Sequence, residues 1–186
     1  MIKLSAQWDK LPAPWKAMAY KEWLLFLKNK FPLSTFLRDD SYGIDFLLCK
    51  ALNIESNNPD NDLKQLDLIV SDGLKSINEN SLSEIFSMQF LAVLSEITYI
   101  APLKYFPNIK VLDFHCQNES KITDFEILRR DKKIFVLDYA DYQIIDFDKF
   151  SNIRDIENIM YIKGYGFPSE VNSIYSELKA NYIIYE

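Results

Sequence analysis

The side chains with the clearest chemical pattern in this sequence are three aspartates, each set between apolar residues. Asp67, Asp113 and Asp138 all occupy the fifth position of a segment whose first, fourth and sixth positions are apolar. Side chains alternate between the two faces of a β-strand, so an aspartate at this position is expected to face away from the core. A row of such carboxylates accepts hydrogen bonds from Lys and Arg and attracts a basic surface. The pattern therefore predicts recognition of a basic partner.

Nucleophilic and metal chemistry find little support in the sequence. His115 is the single histidine, and its neighbour Cys116 is expected on the opposite strand face, which prevents the hydrogen bond that activates a thiol. Asp60-Asn61-Asp62 begins like a calcium loop, but Lys64 stands where a third ligand belongs and no glycine follows at position six. Phosphate-binding glycine motifs and paired-cysteine zinc spacing do not occur. We expect no catalytic residue, no metal and no cofactor.

A hydrolase that uses carboxylates alone is a less favoured alternative. Adjacent strands lie about 4.8 Å apart, so Asp113 and Asp138 on neighbouring strands would approach the separation of about 5 to 10 Å found for paired catalytic carboxylates. An open strand face, however, offers no water-excluding pocket to raise the pKa of a general acid. We therefore favour a protein that is not an enzyme.

The composition is that of a globular, acidic protein. Its 186 residues include 27 acidic and 21 basic side chains, for a net charge of −6, and 48% are hydrophobic, which is too rich for intrinsic disorder. Binding to nucleic-acid phosphates needs a surplus of Lys and Arg, so we expect no nucleic-acid partner. The acidity belongs to residues 61–186, with 20 acidic and 13 basic groups. No signal-peptide pattern or membrane-spanning apolar run is evident, and we expect a cytoplasmic protein without a membrane partner.

Residues 1–56 are predicted to form a helical cap. Pro12 and Pro14 stand where a helix begins, and the following stretch runs without a breaker through Lys28. A second helix is predicted from apolar residues at helical spacing between Ile44 and Ala51. The stretch 57–62, rich in Asn and Asp, is interpreted as a loop.

Residues 57–186 show an internal repeat. Stretches that begin at Ile97, Ile122 and Ile144 share seven template positions spaced mostly by three, and 20 of these 21 positions are apolar. The template extends less regularly to both sides. Its core has the form L-x-x-L-x-L and occurs six times: at 63–68, 88–93, 109–114, 134–139, 156–161 and 180–185.

This core resembles that of the leucine-rich repeat, in units of 20 to 29 residues. The resemblance implies an α/β fold: a short solenoid with one parallel strand per turn, preceded by the helical cap. Stacked turns would align Asp67, Asp113 and Asp138 in one exposed column. The predicted partner-binding residues are Asp67, Phe90, Asp113, His115, Asp138, Asp141, Tyr142, Met160 and Tyr182. A plain α+β domain is the alternative fold.

A small acidic leucine-rich-repeat protein also resembles, at the level of class, the bacterial immunity proteins that neutralise toxins delivered by neighbouring cells. That resemblance implies a basic toxin domain, such as a nuclease, as the partner. A leucine-rich-repeat adaptor or regulatory protein is the alternative function. The Asp column and the acidic surplus favour the immunity protein.

Overall fold

A computed structural model gives the fold, and it describes residues 3–29, 44–54, 56, 58–94, 97, 99–115, 127, 134–138 and 159–163. The helices are α1 (Leu4–Trp8), α2 (Ala13–Asn29), α3 (Ile44–Ala51), α4 (Pro59–Lys75) and α5 (Glu79–Ser87), followed later by a 3-10 helix (Ala101–Tyr105). The strands are β1 (Phe90–Leu94), β2 (Val111–His115), β3 (Ile134–Asp138) and β4 (Ile159–Lys163). The chain divides into two compact units, Met1–Ile85 with Tyr175–Glu186, and Phe86–Ile174.

The two helices predicted for the N-terminal part are both present, as α2 and α3. Apolar residues of α2 fill the core of the first unit, where Trp15 and Met18 are almost fully buried. An ion pair joins the two helices, with Lys21 Nζ 2.7 Å from Asp45 Oδ1. The proposed division between residues 56 and 57 stays a prediction.

The end of α3 is closed by a Schellman motif. Asn53 has a positive φ of 56°, its N–H donates to the carbonyl of Lys50, and the N–H of Ile54 donates to the carbonyl of Cys49. Asparagine tolerates this left-handed conformation better than most residues, and an apolar residue in the next position completes the motif. Ile54 is buried, so the motif also returns the chain to the core.

Helices α4 and α5 begin with asparagine caps. The Asn58 side chain accepts a hydrogen bond from the N–H of Asp60, and Pro59 occupies the first helical position. Asn78 likewise accepts from the N–H groups of Asn80 and Ser81. These bonds satisfy backbone donors that have no partner within the first turn.

The side chain of Glu79, the first residue of α5, binds the start of α1. Its two carboxylate oxygens accept hydrogen bonds from the N–H of Leu4 at 3.2 Å and of Ser5 at 3.0 Å. Five residues further along α5, Glu84 accepts a hydrogen bond of 2.8 Å from the indole Nε1 of Trp23. Helix α5 therefore holds both α1 and α2 through exposed carboxylates.

The four strands form a parallel sheet in the order β1-β2-β3-β4. Buried residues recur at every third position from Ile97, after β1, to Leu112 in β2, as the sequence predicts. The residues at these steps are all buried: Ile97, Ile100, Leu103, Phe106, Ile109 and Leu112. The Phe106 ring packs against that of Phe86 with centroids 5.3 Å apart. The 3-10 helix, with three residues per turn, contains one of these residues, Leu103; the others lie before or after it.

The prediction of a leucine-rich-repeat solenoid over 57–186 is wrong. Helices α4 and α5 occupy its first part, and the described residues contain more helix than strand. The segment Leu63–Leu68, predicted as the first strand, lies within α4. Leu63 and Leu68, assigned to the core, are 43% and 67% exposed.

The helical period explains this outcome. Leu66 and Val70 are the buried residues of α4, and they are four positions apart. The L-x-x-L-x-L pattern shares its three-residue step with a helix, and the asparagine cap with proline and acidic residues in the first turn decides for the helix. The prediction of a loop over 57–62 is wrong from Pro59 onward, where α4 begins. That prediction did not take the asparagine cap and the proline as the start of a helix.

Candidate functional site

The structure places Asp67, the first of the predicted binding residues, on the solvent side of α4. We define the outer face of α4 as its exposed residues between positions 60 and 75: Asp60, Asn61, Leu63, Lys64, Gln65, Asp67, Leu68, Ser71, Asp72 and Lys75. Leu63 precedes Asp67 by one helical turn, so the two lie side by side on the helix. Leu68, at 67%, is more exposed than the other large apolar residues that the structure describes.

Charge on α4 is unevenly distributed. The helix contains four aspartates and two lysines. Asp72 forms an exposed pair with Lys75, its carboxylate 2.9 Å from the ammonium nitrogen. The Asp62 carboxylate turns back to the preceding loop, where it accepts hydrogen bonds of 3.0 and 3.2 Å from the N–H of Ser56. With Asp72 paired to Lys75, the outer face keeps Asp60 and Asp67 against Lys64, so its net charge near Leu63 is negative.

The predicted column of aspartates does not form. Asp67 lies on a helix, whereas Asp113 is in β2, with Ala92 and Leu137 as its partners in the neighbouring strands. Asp138 pairs one position away, with Phe114. A shift of one residue in register exchanges the two faces of a strand, so alignment of Asp113 with Asp138 is lost.

The register between β3 and β4 departs further from the repeat template. The template aligns Leu137 with Ile159, but the structure pairs Leu137 with Ile162 and Asp138 with Lys163. Met160, another of the predicted partner-binding residues, pairs with Phe135. The strand positions were therefore predictable within a few residues, while their alignment was not.

The remaining predicted residues have varied positions. Phe90 begins β1 and is buried, so its side chain belongs to the core of the second unit. His115 ends β2, where its backbone pairs with Leu94. Asp141, Tyr142 and Tyr182 lie outside the described residues, as does Cys116.

Nucleophilic chemistry at Cys49 is disfavoured. Burial raises the pKa of this thiol above its ordinary value, and the nearby carboxylates of Asp62 and Asp45 raise it further. The thiolate is the reactive form, so Cys49 stays protonated and behaves as a small apolar core residue. Within the described ranges, no three His, Cys, Asp or Glu side chains come close enough together to hold a metal ion.

Comparison of the chain with protein-family models, with curated proteins and with solved structures found no match. Among the helices in the described part of the chain, none combines the length and the apolar character needed to cross a bilayer.

Proposed function

We propose that this chain is a non-catalytic, cytoplasmic protein-binding module whose partner is a basic protein. The partner class we favour is a toxin domain, such as a nuclease delivered by a neighbouring bacterium, which the chain neutralises as an immunity protein. The observation that carries the proposal is the outer face of α4, where exposed leucines stand among carboxylates. The net charge of −6 supports it.

The two kinds of side chain have different roles in such an interface. Leu63 and Leu68 can be removed from water by a partner, and full burial of a leucine is worth about 1.5–3 kcal/mol. Asp60 and Asp67 contribute little affinity while exposed, but they attract a basic surface and discriminate against acidic ones. The net charge of −6 extends this attraction beyond the contact itself.

The test begins with the full chain, tagged and cross-linked to its partners in the cells that produce it. The captured basic protein is then purified, and its affinity is measured by isothermal titration calorimetry at low and at physiological salt. We expect Asp67→Lys to weaken binding at least tenfold, because it replaces an attraction by a repulsion at the centre of the face. We expect Leu68→Ser to weaken binding at both salt concentrations.

Asp9→Lys is the matched control, because Asp9 is also exposed and lies outside α4. It makes the same change in net charge and is expected to reduce affinity much less than Asp67→Lys. Equal effects of the two reversals would show that α4 is not the interface. Capture of no basic protein would contradict the proposed function itself.

A further inference from the structure

The contacts of Glu79 point to a detachable segment at the start of the described chain. We propose that residues 3–11, the N-terminal strap, open as a unit while α2 stays folded, and that the Glu79 carboxylate sets how often they do so. This conformational device is independent of the proposed binding function.

The strap cannot be stable through its own helix. Helix α1 has five residues, and isolated helices shorter than about 12 residues are marginal in water. Lys3, in the capping position, provides no side-chain hydrogen bond to the N-terminus of α1. The first turn of α1 therefore depends on a partner from elsewhere in the chain.

Glu79 is that partner, across more than seventy positions of sequence. Its oxygens accept from the N–H groups of Leu4 and Ser5, which is the role of an N-cap side chain. Glu79 is also the first residue of α5. The carboxylate thus lies at the N-terminal ends of two helices, where negative charge is favoured.

The second anchor of the strap is apolar. Trp8 is 5% exposed and Leu11 is 3% exposed. Opening must uncover both side chains, so the closed state predominates. The backbone hydrogen bonds of α2 begin after the strap. The first of them joins the N–H of Lys16 to the carbonyl of Pro12. Opening of residues 3–11 leaves this ladder intact.

Amide hydrogen exchange of the full chain, followed residue by residue by NMR at pH 7, tests the proposal. Two amides report on the strap: that of Asp9, which donates to the carbonyl of Ser5 at 2.9 Å, and that of Leu11, which donates to the carbonyl of Trp8 at 2.9 Å. The amide of Val70, a buried residue of α4, reports on global unfolding. In the wild type we expect both strap amides to exchange faster than Val70.

Glu79→Ala is expected to accelerate exchange of Asp9 and Leu11 by roughly two- to thirtyfold, the range that corresponds to loss of a helix N-cap. The rate at Val70 should not increase by the same factor. Glu84→Ala is the control, because Glu84 is an exposed glutamate of the same helix that bonds Trp23.

Three results would overturn the proposal. Equal exchange rates at Leu11 and Val70 in the wild type would mean that the strap does not open separately. Equal acceleration of all three amides by Glu79→Ala would assign Glu79 to global stability. An effect of Glu84→Ala on the strap as large as that of Glu79→Ala would mean that the direct carboxylate contact has no special role.

Discussion

Gly73 allows the side chain of Tyr20 to approach α4 closely. A Cβ atom at position 73 would overlap the hydroxyl and the ring of Tyr20. The ring is held in place by burial and by Trp23, whose ring centroid is 5.5 Å away. Burial also raises the pKa of the Tyr20 phenol, because it disfavours the charged form. The glycine in the last turn of α4 is therefore explained by packing between α2 and α4.

We predict that Gly73→Ala lowers the free energy of unfolding. Alanine favours a helix by about 1 kcal/mol over glycine, but overpacking typically costs 1–3 kcal/mol. Because the overlap involves a buried ring, we expect the packing cost to exceed the helical gain, with a net loss of up to about 2 kcal/mol. Urea denaturation followed by circular dichroism gives this value.

Ser71→Ala provides the comparison for Gly73→Ala. Ser71 is exposed on the same helix, so the substitution changes helix propensity without creating an overlap. It should be neutral or should stabilise by up to about 0.5 kcal/mol. Similar stabilisation by both substitutions would refute the close approach of Tyr20.

Glu79 gives the molecule a specific dependence on acid. Hydrogen bonds from the Ser5 hydroxyl and from the N–H groups of Ser5 and Leu4, with the charge of Lys3, hold the pKa of Glu79 below its ordinary value of 4.5. A carboxyl with a lowered pKa in the folded state stabilises the fold above its unfolded pKa, and the contribution disappears as the pH falls through the folded value. The stabilising effect of Glu79 should therefore be constant near neutral pH.

The measurement compares unfolding free energies of the wild type and Glu79→Gln from pH 7 down to pH 3. We expect the wild type to be the more stable at pH 7 and the difference to shrink below about pH 4.5. Glu84→Gln serves as the reference, since it removes a charge from the same helix. A difference that grew on acidification would contradict the contacts assigned to Glu79.

At the scale of elements, the start of α4 depends on Asn58. The loop before it is tightly connected: the Ser56 hydroxyl donates to the carbonyl of Asn58 at 3.0 Å and accepts from its N–H at 3.1 Å. The Asn58 side chain then caps the helix through the N–H of Asp60. One short segment thus closes the loop and begins a helix of 17 residues.

Asn58→Ala is expected to cost about 1 kcal/mol of unfolding free energy, the typical loss for an N-cap. Asn58→Asp should retain most of the stabilisation that the cap provides, because a carboxylate oxygen is also an acceptor and suits the positive end of the helix. Asn61→Ala, an exposed substitution in the same first turn, is the control in thermal or urea unfolding. Equal costs at positions 58 and 61 would rule out the capping role.

Helices α2 and α3 were predictable from sequence because a proline start and helical spacing agree. Helices α4 and α5 were not, since their apolar residues at steps of three and four also satisfy a template for short strands. Burial resolves the ambiguity: Leu82, Ile85 and Phe86 follow a helical spacing in α5. The caps at Asn58 and Asn78 are the local sequence signals that distinguish these helices from strands.

At the scale of the whole molecule, the acidic surplus was predictable but its arrangement was not. Of the three aspartates expected in one column, Asp67 lies in a helical unit and Asp113 and Asp138 lie in the sheet-containing unit. Register depends on pairing between strands that are far apart in sequence, and the pattern of one strand does not specify it. A binding surface that depends on strand register could therefore not be predicted from the sequence.

The order of the strands has a consequence for biosynthesis. Each strand pairs with the one that precedes it in the chain, Phe90 with Val111 and Ile134 with Ile159. Among the four described strands, each pairing closes only a moderate stretch of chain, and β1 does not pair with β4. In this order, each strand made later in translation pairs with the strand made just before it. The sheet can thus assemble vectorially, in the direction of translation.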